Sequence, residues 1–139
     1  MEATTRINLN QFTGGTANYY KHWLNGVYTD GMKYIAEQCG AYWLMDLVFS
    51  HRQKLAKNLS LRNFPVRVTL EKWETEQKPN GAKCLIKYHD SNGEPVQFTL
   101  QTVPCTDFPF ERFKDERFSF LLGYDVDSRK LILSLTQED

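Results

Sequence analysis

Four side chains in the first half of the chain belong to types that do acid–base or metal chemistry: His22, Asp30, Asp46 and His51. A histidine held by an aspartate makes a general-base pair. Two histidines with two carboxylates can hold a transition metal. The spacing speaks against the metal. Asp46 and His51 stand five apart, so on one helix they diverge, unlike the i, i+4 pair of an H-E-x-x-H helix. The reading is no metal and no cofactor. Asp46 interrupts the apolar run Trp43-Leu44-Met45-Asp46-Leu47-Val48-Phe49, where a carboxylate is costly unless paired. Tyr20, Tyr42 and Lys21 are the expected donors. His22 and Asp46 are thus expected as satisfied polar groups near the core. The alternative is a small enzyme or ligand-binding protein with a pocket between helices and sheet, lined by His22, Asp30 and Asp46.

Two loop motifs invite chemistry and fall short of it. Thr13-Gly14-Gly15-Thr16 before a helix would seat an anion, but it lacks the lysine and spacing of a P-loop. It reads as ordinary helix entry. Asp125-Val126-Asp127-Ser128 opens like a calcium loop. Lys130 then stands where the loop needs glycine and Thr136 where it needs a bidentate glutamate, so a hairpin turn is expected.

The other candidate chemistry is electrostatic. Net charge is zero and the pI about 6.8, which excludes a global basic field for nucleic acid. Locally the balance differs. No acid occurs between Leu47 and Leu70, while Arg52, Lys54, Lys57, Arg62 and Arg67 do. These cations are either a solvated helix end or a grip for phosphates or an acidic protein. Trp73 falls on the polar side of its strand, as the aromatic expected to be exposed and to touch a partner. Trp23, Trp43, Tyr34 and Tyr42 are expected in the core, the usual place for aromatics at helical spacing.

The elements that would position these groups change character near residue 60. Before it the apolar period is helical. Helix one is expected over residues 16–24, capped by Thr16, with Tyr19, Tyr20, Trp23 and Leu24 as its stripe and Gly26 as its stop. Helix two follows over about 31–39, capped by Thr29 or Asp30 and ended at Gly40. Helix three runs over 41–58, its second half basic. After residue 60 the period is two. Val66/Val68/Leu70, Ala82/Cys84/Ile86/Tyr88, Val96/Phe98/Leu100, Phe118/Phe120/Leu122 and Leu131/Leu133/Leu135 each alternate with mostly polar residues. The expected fold is α+β, with about three N-terminal helices on a roughly five-stranded antiparallel sheet. The length suits a single domain over 1–139, with 1–60 helical and 61–139 β.

Three dispersed cysteines, Cys39, Cys84 and Cys105, form no C-x-x-C motif and suit a reduced cytoplasmic setting. The N-terminal Met-Glu-Ala-Thr-Thr-Arg-Ile-Asn-Leu has no signal-peptide character. No apolar run approaches a membrane span.

The stretches Tyr28-Thr29-Asp30-Gly31-Met32-Lys33-Tyr34, Gly40-Ala41-Tyr42-Trp43-Leu44-Met45-Asp46 and Thr106-Asp107-Phe108-Pro109 resemble a family of small uncharacterised proteins. Its members are bacterial, phage-borne or plasmid-borne and are classed only as a domain of unknown function. Phe12-Thr13-Gly14 and Tyr19-Tyr20-Lys21-His22-Trp23 share in the likeness. The resemblance implies a setting, a bacterium or its mobile elements, and no activity. The expectation is a non-enzymatic binding protein for a protein or nucleoprotein partner, with nucleic acid as a further partner class. Its contact residues would be Arg52, Lys54, Lys57, Arg62, Arg67 and Trp73. An inhibitor of a host defence complex, of the anti-CRISPR type, is its concrete form.

Overall fold

The computed structural model describes residues 9–77 and 79–138; the N-terminal stretch read above for a signal peptide lies, but for Leu9, outside them. Seven strands form one sheet: β1 (Tyr19–His22), β2 (Gly26–Thr29), β3 (Val66–Lys72), β4 (Ala82–His89), β5 (Pro95–Val103), β6 (Arg117–Asp125) and β7 (Lys130–Leu135). Their spatial order is β1-β2-β7-β6-β3-β4-β5. Three helices, α1 (Asp30–Gln38), α2 (Tyr42–Ser50) and α3 (Arg52–Asn58), join the core side of this sheet. The sheet is mixed. β2 runs parallel to β7, and every other pairing is antiparallel. The expected five-stranded antiparallel sheet is therefore corrected to a seven-stranded mixed one.

The two extra strands replace helix one. Tyr19, Tyr20 and Trp23 fit a helical stripe, but aromatics also suit a pleated surface, and tertiary contacts decide for the strand. Tyr20 lies opposite Tyr28, their rings stacked at 5.4 Å, a cross-strand aromatic pair. Asn25, at φ +63°, turns the chain. Thr16 does act as a cap, but for another helix, since its hydroxyl accepts the Asp30 N–H at 2.9 Å. Gly26 is not a helix stop either. It sits in β2 beneath Phe49 of α2, and a Cβ there would fall 2.2 Å from the Phe49 ring.

α1 matches its expected place. Thr29 caps it by accepting the Met32 N–H, and Gly40, at φ +59°, ends it with the Ala41 N–H returning to the Ala36 carbonyl. Helix three breaks in two at His51. The Ser50 hydroxyl donates to the Leu47 carbonyl at 2.7 Å, a back-bond that bends helices. The His51 ring then reaches out to Gln101 of β5.

β3 to β7 lie where the alternation puts them. Val66, Val68, Leu70, Phe118, Phe120, Leu133 and Leu135 face the helices and form one core with Met32, Ile35, Met45, Val48 and Leu55. By alternation, Arg67, Thr69, Ser119, Lys87 and Ile132 point to the other face, away from α1, α2 and α3. Phe110–Arg112 and Lys114–Glu116 are single 3₁₀ turns leading into β6. Among the described residues no helix is long and apolar enough to cross a membrane.

Gly26→Ala is expected to destabilise the protein by about 1–3 kcal/mol through overpacking against Phe49. Adding Phe49→Leu should recover part of that loss. A thermal or urea unfolding cycle over the four proteins measures the coupling.

Candidate functional site

β1 turns His22 toward α2, where its ring packs 4.7 Å from that of Phe49. The His22 side chain is only 5% exposed, whereas that of Asp46 is 46% exposed. The Leu24 N–H donates to His22 Nδ1 at 3.0 Å, so the neutral ring carries its proton on Nε2. That Nε2–H donates to Asp46 Oδ1 at 2.6 Å, and the Trp23 indole N–H donates to the same oxygen at 3.0 Å. Both imidazole nitrogens are thus occupied from within. A ring whose lone pair already accepts a backbone N–H has none left to take a proton from a substrate. The sequence named Tyr20, Tyr42 and Lys21 as donors to Asp46; His22 and Trp23 take that place. Trp23, expected in the core, is 77% exposed, and Tyr42 is exposed too.

Asp30 belongs to a different cluster. Its carboxylate accepts the Tyr20 hydroxyl at 2.9 Å and the Ala17 and Asn18 N–H groups at 3.0 and 3.2 Å. The Tyr20 hydroxyl bond, first among several, holds its pKa below the ordinary carboxylate value. Beside it the Glu138 carboxylate accepts the Thr29 hydroxyl, the Gly31 N–H at 3.2 Å and the Leu135 N–H at 2.8 Å. The N-terminus of α1, which could have seated an anion, is therefore closed by the chain's own carboxylate. His22 and Asp46 pair with each other while Asp30 is engaged elsewhere, and none of the three lines the hollows found beside Arg67, Arg52, Glu71 or Leu61. His51 is apart as well, bonded at 2.6 Å to the Gln101 side chain. Asp125 accepts Ser128 Oγ and the Asp127 N–H inside its own turn. Among the described residues no three His, Cys, Asp or Glu side chains gather as metal ligands. Burial pushes the thiols of Cys39 and Cys84 up to about 11 and about 12, far from a reactive thiolate.

The basic segment does not form one patch. Arg52 donates to the Arg129 carbonyl at 3.2 Å, bracing the β6–β7 turn. Lys54 donates to the Thr99 and Leu100 carbonyls of β5 at 3.2 and 3.3 Å. Lys57 of α3 and Arg62 of the turn before β3 are exposed. Arg67 lies across the sheet from α3, because Val66 and Val68 on either side of it face the core. Trp73, just past β3, is 39% exposed under the Lys83 ammonium, 5.7 Å from its ring centre. Trp23 and Tyr19 are the more exposed aromatics.

On the outer face Arg67 acquires neighbours that the sequence reading had not singled out. Its cross-strand partner is Lys87 of β4. Like charges directly opposite destabilise a sheet, so folding alone gives no reason for the pair. Next along β3 is Thr69, whose hydroxyl meets that of Ser119 at 2.9 Å. Lys114 and Arg117 join them around a cavity of about 530 Å³, in whose lining Asp115 is the one acid among the described residues. A second hollow, toward His89 and Gln97, shares Arg67 and Lys87. Glu116 and Glu71, the acids flanking Arg117 in sequence and across the β3–β6 pairing, are bound to Lys72 and Lys83. The one signal available in the sequence was that Arg67 and Lys87 both sit on the polar phase of their strands.

A model of a family of unknown function, DUF6876, matches residues 3–114, and the chain belongs to that family. The match ends ahead of β6, so Arg117, Ser119 and Glu138 lie beyond it. No curated protein and no solved structure matches the chain.

Two outcomes follow from these contacts. Folding lowers the Asp30 pKa, so its stabilisation is complete above the unfolded value of about 3.9 and is lost as pH falls through the folded one. Asp30→Asn should lower the melting temperature at pH 7, with the gap to wild type closing in acid; a series of melts from pH 7 to 2 reads it. Arg67→Glu should instead raise stability, by about 0.2–1 kcal/mol, by turning a like-charge pair into an opposite one. Urea unfolding at low salt checks the sign.

Proposed function

We propose that the chain is a non-enzymatic binding protein that recognises a protein or nucleoprotein partner through the outer face of its sheet. The observation that carries this reading is the Arg67–Lys87 cross-strand pair on the face turned away from α1, α2 and α3, with Arg117 and Lys114 beside it. A like-charge pair kept at a cost to stability suits a surface selected for an anionic partner. The contact surface drawn from the sequence is thereby reduced. Arg67 remains at its centre, Trp73 at its margin, and Arg52 and Lys54 serve the chain's own backbone.

A catalytic role for His22 and Asp46 has no comparable support, since both ring nitrogens are engaged. Within this proposal the protein works in the cytoplasm of a bacterium, in keeping with its three unpaired cysteines. Its concrete form is a mobile-element product that inhibits a host defence complex of the CRISPR kind. That form draws on the family resemblance and on the match of an anionic nucleoprotein to a basic face.

Affinity purification of the tagged protein from its native host, with mass spectrometry of co-eluting protein and nucleic acid, tests the reading. A specific partner should be recovered by wild type and by Arg52→Glu/Lys57→Glu, and reduced at least tenfold by Arg67→Glu/Lys87→Glu. Full recovery by the Arg67/Lys87 variant would overturn the outer face as the contact.

A further inference from the structure

We infer that the outer-face cavity binds the phosphate groups of a nucleotide, either free or at the end of a nucleic-acid strand. The inference deepens the binding reading above by naming what the outer face holds. Its volume of about 530 Å³ falls within the range of small-molecule sites, roughly 300–1,000 Å³, and is generous for inorganic phosphate alone.

The lining has the chemistry of a polyphosphate cradle. Among the described lining residues, Arg67, Lys87, Lys114 and Arg117 supply four cations against the single carboxylate of Asp115. Arginine forks grip phosphate oxygens in a bidentate way, while lysine acts as a point charge. Among the described residues none of the four has an ion-pair partner, because Glu116 and Glu71 are held by Lys72 and Lys83. Thr69 and Ser119 place two hydroxyls side by side in the lining. Thr69 is fully buried and Ser119 half-buried, so Ser119 is the hydroxyl that can turn its proton to an incoming phosphate oxygen while accepting from Thr69.

The rest of the lining suits the remainder of a nucleotide. Leu9 and Phe113 give an apolar flank, and Asp115 and Gln137 give an acceptor and an amide for sugar hydroxyls or base edges. The phosphates therefore supply most of the attraction, and discrimination among bases is expected to be weak.

The test titrates the purified full chain at low salt with four probes: a fluorescent nucleoside triphosphate, a 5′-phosphorylated oligonucleotide, inorganic phosphate and the unphosphorylated nucleoside. Saturable binding of the triphosphate or of the phosphorylated oligonucleotide is expected, weakening as salt rises. The preference between the two identifies the source, free nucleotide or strand end. The nucleoside should not bind, and inorganic phosphate should compete weakly. Arg67→Glu/Lys87→Glu and, separately, Lys114→Glu/Arg117→Glu should each weaken binding at least tenfold with an unchanged circular dichroism spectrum. No saturable binding of either phosphorylated probe, or binding untouched in both folded variants, overturns the inference. Suppose the phosphorylated probes fail while Arg67→Glu/Lys87→Glu still loses its captured partner. The inference then falls and the partner-binding reading stands. If the probes bind and partner capture is unaffected, the reverse holds.

Discussion

Three rungs of parallel pairing hold the two ends of the described chain together: Gly26 beside Leu131, Val27 beside Ile132 and Tyr28 beside Leu133. The β1–β2 hairpin joins the rest of the sheet through them. β1 pairs with β2 alone, and β2 reaches the main sheet only through β7. The same pairing brings Glu138 to the start of α1, where one carboxylate serves the Thr29 hydroxyl and the Gly31 and Leu135 amides. It also leaves no room at Gly31, where a Cβ would lie 2.5 Å from the Leu135 side chain. Helix capping, strand order and the close contacts of two glycines are thus one arrangement, fixed by where β7 lies.

This arrangement accounts for the polar groups that looked catalytic. The β1–β2 hairpin is short and forms one edge of the sheet. Such an element has little apolar area with which to anchor itself, and polar contacts make up the difference. Asp30 holds the chain leading into β1, and Asp46 holds its far end through His22 and Trp23. One carboxylate sits at the open end of the hairpin and the other at its turn. The density of tyrosine, tryptophan, histidine and aspartate in this region is the signature of a polar-pinned hairpin against a helical layer.

The legible and illegible parts of the fold divide along physical lines. β3 to β7 were readable because each carries several apolar residues at period two on one side of a buried sheet. β1 and β2 were not, because four residues are too few to separate period two from 3.6. Tyr19, Tyr20, Trp23 and Leu24 satisfy a helix as well as Tyr20 and His22 satisfy a strand, and only the partner Tyr28 and the roof provided by Phe49 decide. The break at His51 was hidden for a similar reason, since it depends on a contact with Gln101 far along the chain. At the candidate site, the placement of Arg67 on a polar face was legible, but its juxtaposition with Lys87 was not. The 73–81 connection is too long for its turn to fix the register between β3 and β4. The grouping with Arg117 and Ser119 depends on β6 pairing to β3 after β4, β5 and their connections have intervened in the chain.

The contacts of Lys54 have a bearing on how molecules of this protein behave toward one another. β5 is an outer strand of the sheet, and an outer strand offers bare amides and carbonyls on which another chain can build. Along β5 that template is interrupted. Pro95 lacks an amide donor, the register slips opposite Cys84 and Leu85, and the Lys54 ammonium sits on the carbonyls of Thr99 and Leu100. The lysine that looked like a hand held out to a partner is, in this position, a guard against stacking of the protein onto its own copies.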